Sequence, residues 1–183
     1  MNVVDEVVNE VKNCLHQDDI GRLGKPIGKG LFSEARLHKG LVIKLGGCWN
    51  PDPGGRFWAE WCVDHQDLDC VPKIHTYVSF GDNQYVVVME HLLPVETVDS
   101  MEQYEMEVIA RFIECDAADD EVEIPLYIHE FMDEFRKVRE LGCMDLHSNN
   151  YMVRESDGRM VIIDPFSTTS YKQESHLTTE DGD

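Results

Sequence analysis

The chain is predicted to fold as an α+β protein of two lobes, an antiparallel sheet followed by a small helical lobe, with a cleft between them. Three observations predict this. Strand-like segments interrupted by one helical segment fill roughly the first 90 residues, and helical segments follow. A glycine-containing turn, Ile27-Gly28-Lys29-Gly30, precedes a strand that carries Lys44 near its end. Asp145, Asn150 and Asp164 are set around a short apolar hairpin near the end of the chain.

The elements follow in order. Residues 1–16 place Val4, Val7, Val8, Val11 and Leu15 on one helical stripe, an amphipathic helix that must dock on the first lobe. Gly and Pro punctuate 21–30, and strands are predicted over 33–38 and 41–45. Asn50 to Gly55 reads as a loop. Residues 56–66 read as a helix with Phe57, Trp58 and Trp61 on its apolar face. Two more strands fit 73–80 and 84–90, joined by the turn Gly81-Asp82-Asn83. The run Val86-Val87-Val88-Met89 suits a strand buried on both faces. Helices are then predicted over 99–115 and 123–141, the second from Ile124, Ile128, Phe131, Phe135 and Val138 at spacings of three and four, with Gly142 as its stop. Strands near 151–154 and 160–163 bracket Glu155-Ser156-Asp157-Gly158. This gives one domain over 1–171, with an N-lobe of about 1–90 and a C-lobe of about 91–171, and an acidic tail over 172–183 predicted to be disordered.

Composition narrows the function. With 183 residues, 42% of them hydrophobic, the chain can bury a core. Its 36 acidic against 16 basic residues give a net charge of -20. Such a surface repels phosphate backbones, so direct nucleic-acid binding is not expected. It favours basic protein partners, could mimic nucleic acid, or could serve solubility alone. Six cysteines without a C-x-x-C pair, and no signal peptide, predict reduced thiols and a cytoplasmic location. No stretch of 18 apolar residues occurs, so no membrane span is expected. Neither an H-E-x-x-H spacing nor a G-x-S-x-G elbow is present, which weakens zinc-enzyme and serine-hydrolase readings.

The candidate site is chemically coherent. Gly28 and Gly30 let backbone approach phosphates without an intervening Cβ, although surface hairpins use the same residues. Ser33 stands where a third glycine is common. Lys44, flanked by Ile43 and Leu45, projects to the opposite sheet face from them and could contact α- and β-phosphates. Glu60 is the candidate ion-pair partner of Lys44, or else an exposed helix residue. If the cleft between two lobes takes a nucleotide, Met89-Glu90-His91 would be the hinge whose backbone groups bond the adenine edge, with Met89 lining the back of the pocket. Asp145, in a loop just past a helix, is the candidate catalytic base. Asn150 and Asp164 offer the oxygen ligands that Mg²⁺ prefers. His147 is assigned to loop stabilisation by hydrogen bonds rather than to catalysis.

With these residues in place, the chain resembles the protein-kinase-like superfamily, and within it the early serine/threonine protein kinases of short-tailed T-odd bacteriophages. The matching pieces are Gly28-Lys29-Gly30-Leu31-Phe32-Ser33-Glu34-Ala35, Val42-Ile43-Lys44, Met144-Asp145-Leu146-His147-Ser148-Asn149-Asn150 and Ile163-Asp164-Pro165. The wording Asp-Leu-His-x-x-Asn also resembles aminoglycoside phosphotransferases. The resemblance implies a two-lobed protein-kinase-like fold with a truncated C-lobe. It further implies ATP and Mg²⁺ as cofactors, and phosphorylation of host proteins on Ser or Thr early in infection, with suppression of host transcription. Basic nucleic-acid-binding proteins of the host cytoplasm would be suitable targets.

The chain also departs from the kinase pattern. Cys143-Met144 stands in place of His-Arg, so activation by a phosphorylated loop lacks its arginine. Asp164-Pro165-Phe166 stands in place of Asp-Phe-Gly, and no Ala-Pro-Glu follows. Only 19 residues follow Asp164, which predicts that the usual peptide-binding helices are missing. Ser167-Thr168-Thr169-Ser170-Tyr171 is either an autophosphorylation segment or a polar linker. Two alternatives therefore stand beside the protein kinase: an acidic kinase-like module that binds and inhibits a host protein, and a small-molecule phosphotransferase.

Overall fold

The computed structural model describes residues 2–16, 19–80, 84–116 and 122–167. The Gly81-Asp82-Asn83 turn, residues 168–171 of the hydroxyl run and the 172–183 tail lie outside them.

The chain opens with helix α1 (Val3–His16), capped by Asn2, whose Oδ1 accepts from the Asp5 N–H at 2.8 Å. Five antiparallel strands follow: β1 (Lys25–Lys29), β2 (Ser33–His38), β3 (Leu41–Gly46), β4 (Ile74–Phe80) and β5 (Gln84–Glu90), arranged β1-β2-β3-β5-β4. Strand alternation sorts the two sheet faces. Ile43, Leu45, Val86 and Val88 point to one face, where Val7 and Val11 of α1 cover them. Full burial of such an aliphatic side chain stabilises by about 1.5–3 kcal/mol. Val42, Tyr85, Val87 and Met89 point the other way, and Lys44 shares their face. Strand β1 was not expected from sequence. It sits at the sheet edge, where Pro26 and Gly28 are tolerated and the register shifts between them.

Helix α2 (Pro53–Asp64) starts earlier than the predicted 56. Asp52 caps it, accepting from the Gly55 N–H at 3.0 Å, and Pro53 supplies the pre-set first turn. The segment 53–55 is therefore helix, not loop. Trp58 and Trp61 stack with centroids 5.0 Å apart and meet Phe131 and Phe135 edge-on. Trp58 also meets Phe166, at 6.3 Å. Apolar packing thus crosses residue 90: α2 and Cys70-Val71 share one core with the helical lobe.

In that lobe, Asp99 caps α3 (Ser100–Cys115) by accepting from the Met101 and Glu102 N–H groups. Helix α4 (Leu126–Phe135) is shorter than the predicted 123–141, because Pro125 sets its start and turns follow Phe135. Val138 still packs against the core from outside the helix. Four short strands complete the lobe: β6 (Cys143–Met144) with β9 (Phe166–Ser167), and β7 (Tyr151–Val153) with β8 (Met160–Ile162). They frame the loop 145–150 and the segment 163–165. Among the described residues no helix is long and apolar enough to cross a membrane.

Candidate active site

A cleft of about 740 Å³ lies between the sheet and the helical lobe, a size suited to a nucleotide-sized ligand. Gly28, Gly30, Ser33, Lys44, Met89, Asp145, Asn150 and Asp164 all line it. Its apolar walls come from Ile27, Ala35, Val42, Leu92, Met152 and Ile163. Val42 could have been read from sequence, since it alternates with Lys44; Met152 depends on the hairpin's tertiary placement.

The glycine turn is held at several points. The Gly30 N–H donates to the Ser33 carbonyl at 2.8 Å, and Gly47 N–H to the Phe32 carbonyl at 2.9 Å. Asn50 Nδ2 donates to the Leu31 carbonyl at 3.3 Å, and the Lys29 ammonium sits 4.3 Å from the centre of the Trp49 ring. The segment after β3 therefore braces the turn over the cleft.

Lys44 Nζ lies 3.2 Å from Asp164 Oδ2, joining the sheet to the helical lobe across 120 residues of chain. Burial pushes the Lys44 pKa down, but Asp164 and Asp52 more than offset it and leave the ammonium favoured. Burial raises the Asp164 carboxyl above the ordinary range, and Lys44 opposes that rise. Asp164 Oδ1 is buried and has no hydrogen-bond partner among the described residues. An orphaned carboxylate oxygen facing a cleft is a position that a hard cation fits. No group of three His, Cys, Asp or Glu side chains that could cage a metal occurs among the described residues. Asn150 and Asp164 could contribute to a partial ligand set of the kind that Mg²⁺ shares with phosphate oxygens and water.

The loop from 145 to 150 is tightly bonded. The Asp145 N–H donates to the Pro165 carbonyl at 2.9 Å. Asn150 Nδ2 donates to the Asp145 carbonyl at 2.5 Å, and Asn150 N–H to the His147 carbonyl at 2.7 Å. The Asn150 carbonyl in turn accepts from the Ile163 and Asp164 N–H groups at 2.9 and 3.3 Å. These bonds fix the spacing of the three polar residues. His147 Nδ1 accepts from the Asn149 N–H at 3.2 Å, so the ring supports the loop. The Asp145 side chain is half-exposed to the cleft mouth.

Three expectations need correction. Glu60 does not pair with Lys44. Its carboxylate accepts from Arg56 at 3.0 Å and from the Tyr77 hydroxyl at 2.6 Å. The buried face of α2 runs through Trp58, Ala59, Trp61 and Cys62, which leaves position 60 pointing outward. Glu90 and His91 do not line the cleft. The Glu90 carboxylate faces Arg154, and its N–H is committed to the Lys73 carbonyl at 3.0 Å. His91 is exposed. Sequence reading also missed Asp52, a carboxylate only 1% exposed that acts electrostatically on both Lys44 and Asp164. Its signal was the Asp-Pro pair at a helix start.

A sheet and a helical lobe around a cleft with a glycine turn, a strand lysine and an Asp-Asn-Asp set define a protein-kinase-like fold. The chain belongs to the family described as bacteriophage T7 protein kinase 0.7, whose family model matches residues 10–182. Among solved structures it is similar to the kinase PK-1 of the Cydia pomonella granulovirus, at 12% identity and a TM-score of 0.48, over 85% of this chain. The chain spans 57% of the length of that viral kinase. No curated protein sequence matches.

Proposed function

We propose that the chain is an ATP- and Mg²⁺-dependent serine/threonine protein kinase that phosphorylates host proteins early in phage infection and so suppresses host transcription or other host functions. The observation that carries this reading is the pairing of Lys44 with Asp164 Oδ2 at 3.2 Å while Asp164 Oδ1 stays unsatisfied beside Asp145 and Asn150. In this account Gly28, Gly30 and Ser33 place backbone near the nucleotide phosphates, and Lys44 neutralises charge on them. Asp145 orients the acceptor hydroxyl and takes its proton as the new O–P bond forms and the bond to the ADP oxygen breaks. Asn150 and Asp164 would hold Mg²⁺, which supplies charge neutralisation on the phosphate oxygens when bound. Met89 and Leu92 form the apolar back and edge of the base pocket. The net charge of -20 favours basic acceptor proteins, including nucleic-acid-binding ones.

Phosphoproteomics of host cells expressing the wild type or Asp145→Asn tests the reading. Ser/Thr phosphosites that appear with the wild type alone support it. Identical phosphoproteomes, with a host phenotype retained by the variant, support the acidic binding module instead.

A further inference from the structure

We propose that Asp52 is the acidic positioning residue for Lys44, filling the part expected of Glu60, and that α2 delivers it from its N-cap rather than from its helical face. The inference rests on the kinase reading of the cleft and names one more residue in it.

The geometry runs through Tyr85. Gly46 pairs with Tyr85, and Lys44 with Val87, in the β3–β5 ladder. Lys44 and Gly46 are two residues apart, so they face the same side of the sheet as Tyr85. A Cβ on Gly46 would lie 2.0 Å from the Tyr85 ring, so glycine there lets the ring cross β3 toward α2. The Tyr85 hydroxyl donates to Asp52 Oδ2 at 3.0 Å. Asp52 Oδ1 accepts from the Gly55 N–H at 3.0 Å. A Cβ on Gly55 would lie 2.4 Å from Asp52 Oδ2 and 2.5 Å from the Tyr85 oxygen. Two glycines, a buried tyrosine and a helix start thus enclose one carboxylate on the sheet face that Lys44 shares. Burial, with Asp52 and Asp164 nearby, pushes the Tyr85 hydroxyl well up, so it remains a donor.

A helix cap alone does not require this enclosure. Asp99 caps α3 through backbone N–H groups while remaining near the surface. A buried carboxylate needs compensation, and Lys44 projects from the sheet face that Tyr85 shares, where the Asp52 charge favours its ammonium. Asp164 is bonded to Lys44 already; once Asp164 is committed to a metal ligand role, Asp52 is the carboxylate left to hold the ammonium. The Trp58 and Trp61 packing against Phe131 and Phe135 fixes α2, and with it Asp52, to the helical lobe. The lysine is positioned without a helix that swings in.

The test is calorimetric binding of MgATP to the full chain, with thermal melting as the control for folding. Asp52→Asn keeps the cap, because Asn caps helices as well as Asp, but removes the charge. It should weaken nucleotide binding about tenfold or more, while Glu60→Gln stays within twofold of wild type. Combined with Lys44→Met, Asp52→Asn should cost nothing further, since the effect passes through the lysine. Asp52→Asn binding within twofold of wild type overturns the proposal, as does an undiminished loss in the Lys44→Met background. Failure of the wild type itself to bind nucleotide overturns the kinase reading, and this assignment with it.

Discussion

Arg154 and Glu90 form a two-pronged ion pair, with Arg154 Nε and Nη2 at 3.0 and 2.8 Å from the two carboxylate oxygens of Glu90. The arginine side chain is 4% exposed and that of Glu90 15%. Arg154 also donates to the Asp69 and Val71 carbonyls, and the Lys73 N–H donates to Glu90 Oε1. One guanidinium therefore binds the segment after α2, the end of β5 and the β7–β8 hairpin together. Glu90 ends β5 and Arg154 follows β7, so the pair ties the sheet to the helical lobe beside the cleft.

Removing the buried arginine leaves a largely covered carboxylate without its partner. Arg154→Ala should lower unfolding free energy by about 3–5 kcal/mol. Chemical denaturation measures it, as a lower midpoint at unchanged slope. A loss of under about 1 kcal/mol, the ordinary value of an exposed pair, contradicts the clamp.

Gly46→Ala probes the contact between β3 and Tyr85. The added Cβ meets the Tyr85 ring at 2.0 Å, inside any real contact distance. Overpacking of this kind costs about 1–3 kcal/mol, and displacement of Tyr85 should also weaken nucleotide binding. Denaturation and calorimetry on the same sample check both effects. A neutral substitution shows that the ring moves freely.

The docking of α1 should depend on pH. Glu10 bonds Lys39 at 2.7 Å and His38 at 2.6 Å, and these bonds, Lys39 first, hold its carboxyl below the ordinary value of 4.5. A lowered acid contributes stability that is present above that ordinary value and is lost as pH falls through the folded value. Lys39 is raised in turn, so its share is present below its ordinary value of 10.5 and is lost only as pH rises past the folded one. Thermal melting of wild type and Glu10→Gln from pH 7 down to pH 3 tests the acid side. The wild-type advantage should be level at neutral pH and shrink below about pH 4.5. A constant difference shows that Glu10 does not titrate against the fold.

The parts of this site that chemistry constrains by residue type and spacing were legible in the sequence. Lys44 could be placed on the cleft face because Ile43 and Leu45 alternate around it. Asp145, Asn150 and Asp164 could be placed together because a short hairpin separates them. The partner of Lys44 was not legible. A helix face suggested Glu60, but the acid bonded to Lys44 is Asp164, 120 positions along the chain, and the buried acid of α2 is the cap that precedes the helix, bonded by Tyr85 from another strand. Met89-Glu90-His91 was read as a link whose backbone meets the adenine edge, and local sequence could not show that the Glu90 carboxylate turns to Arg154, 64 positions later. Strands β6 and β9 have two residues each and exist through their pairing, so no periodicity could reveal them. Edge strand β1 was hidden by its own Pro26 and Gly28.

The central claim is that the cleft transfers phosphate from ATP with Asp145 as its base. The direct measurement is incorporation of radiolabel from γ-labelled ATP, with Mg²⁺ present, into host lysate proteins by purified wild type and Asp145→Asn. The account predicts labelled Ser or Thr with the wild type and a loss of about hundredfold or more in the variant, at an unchanged melting temperature. Equal labelling by the two proteins contradicts it.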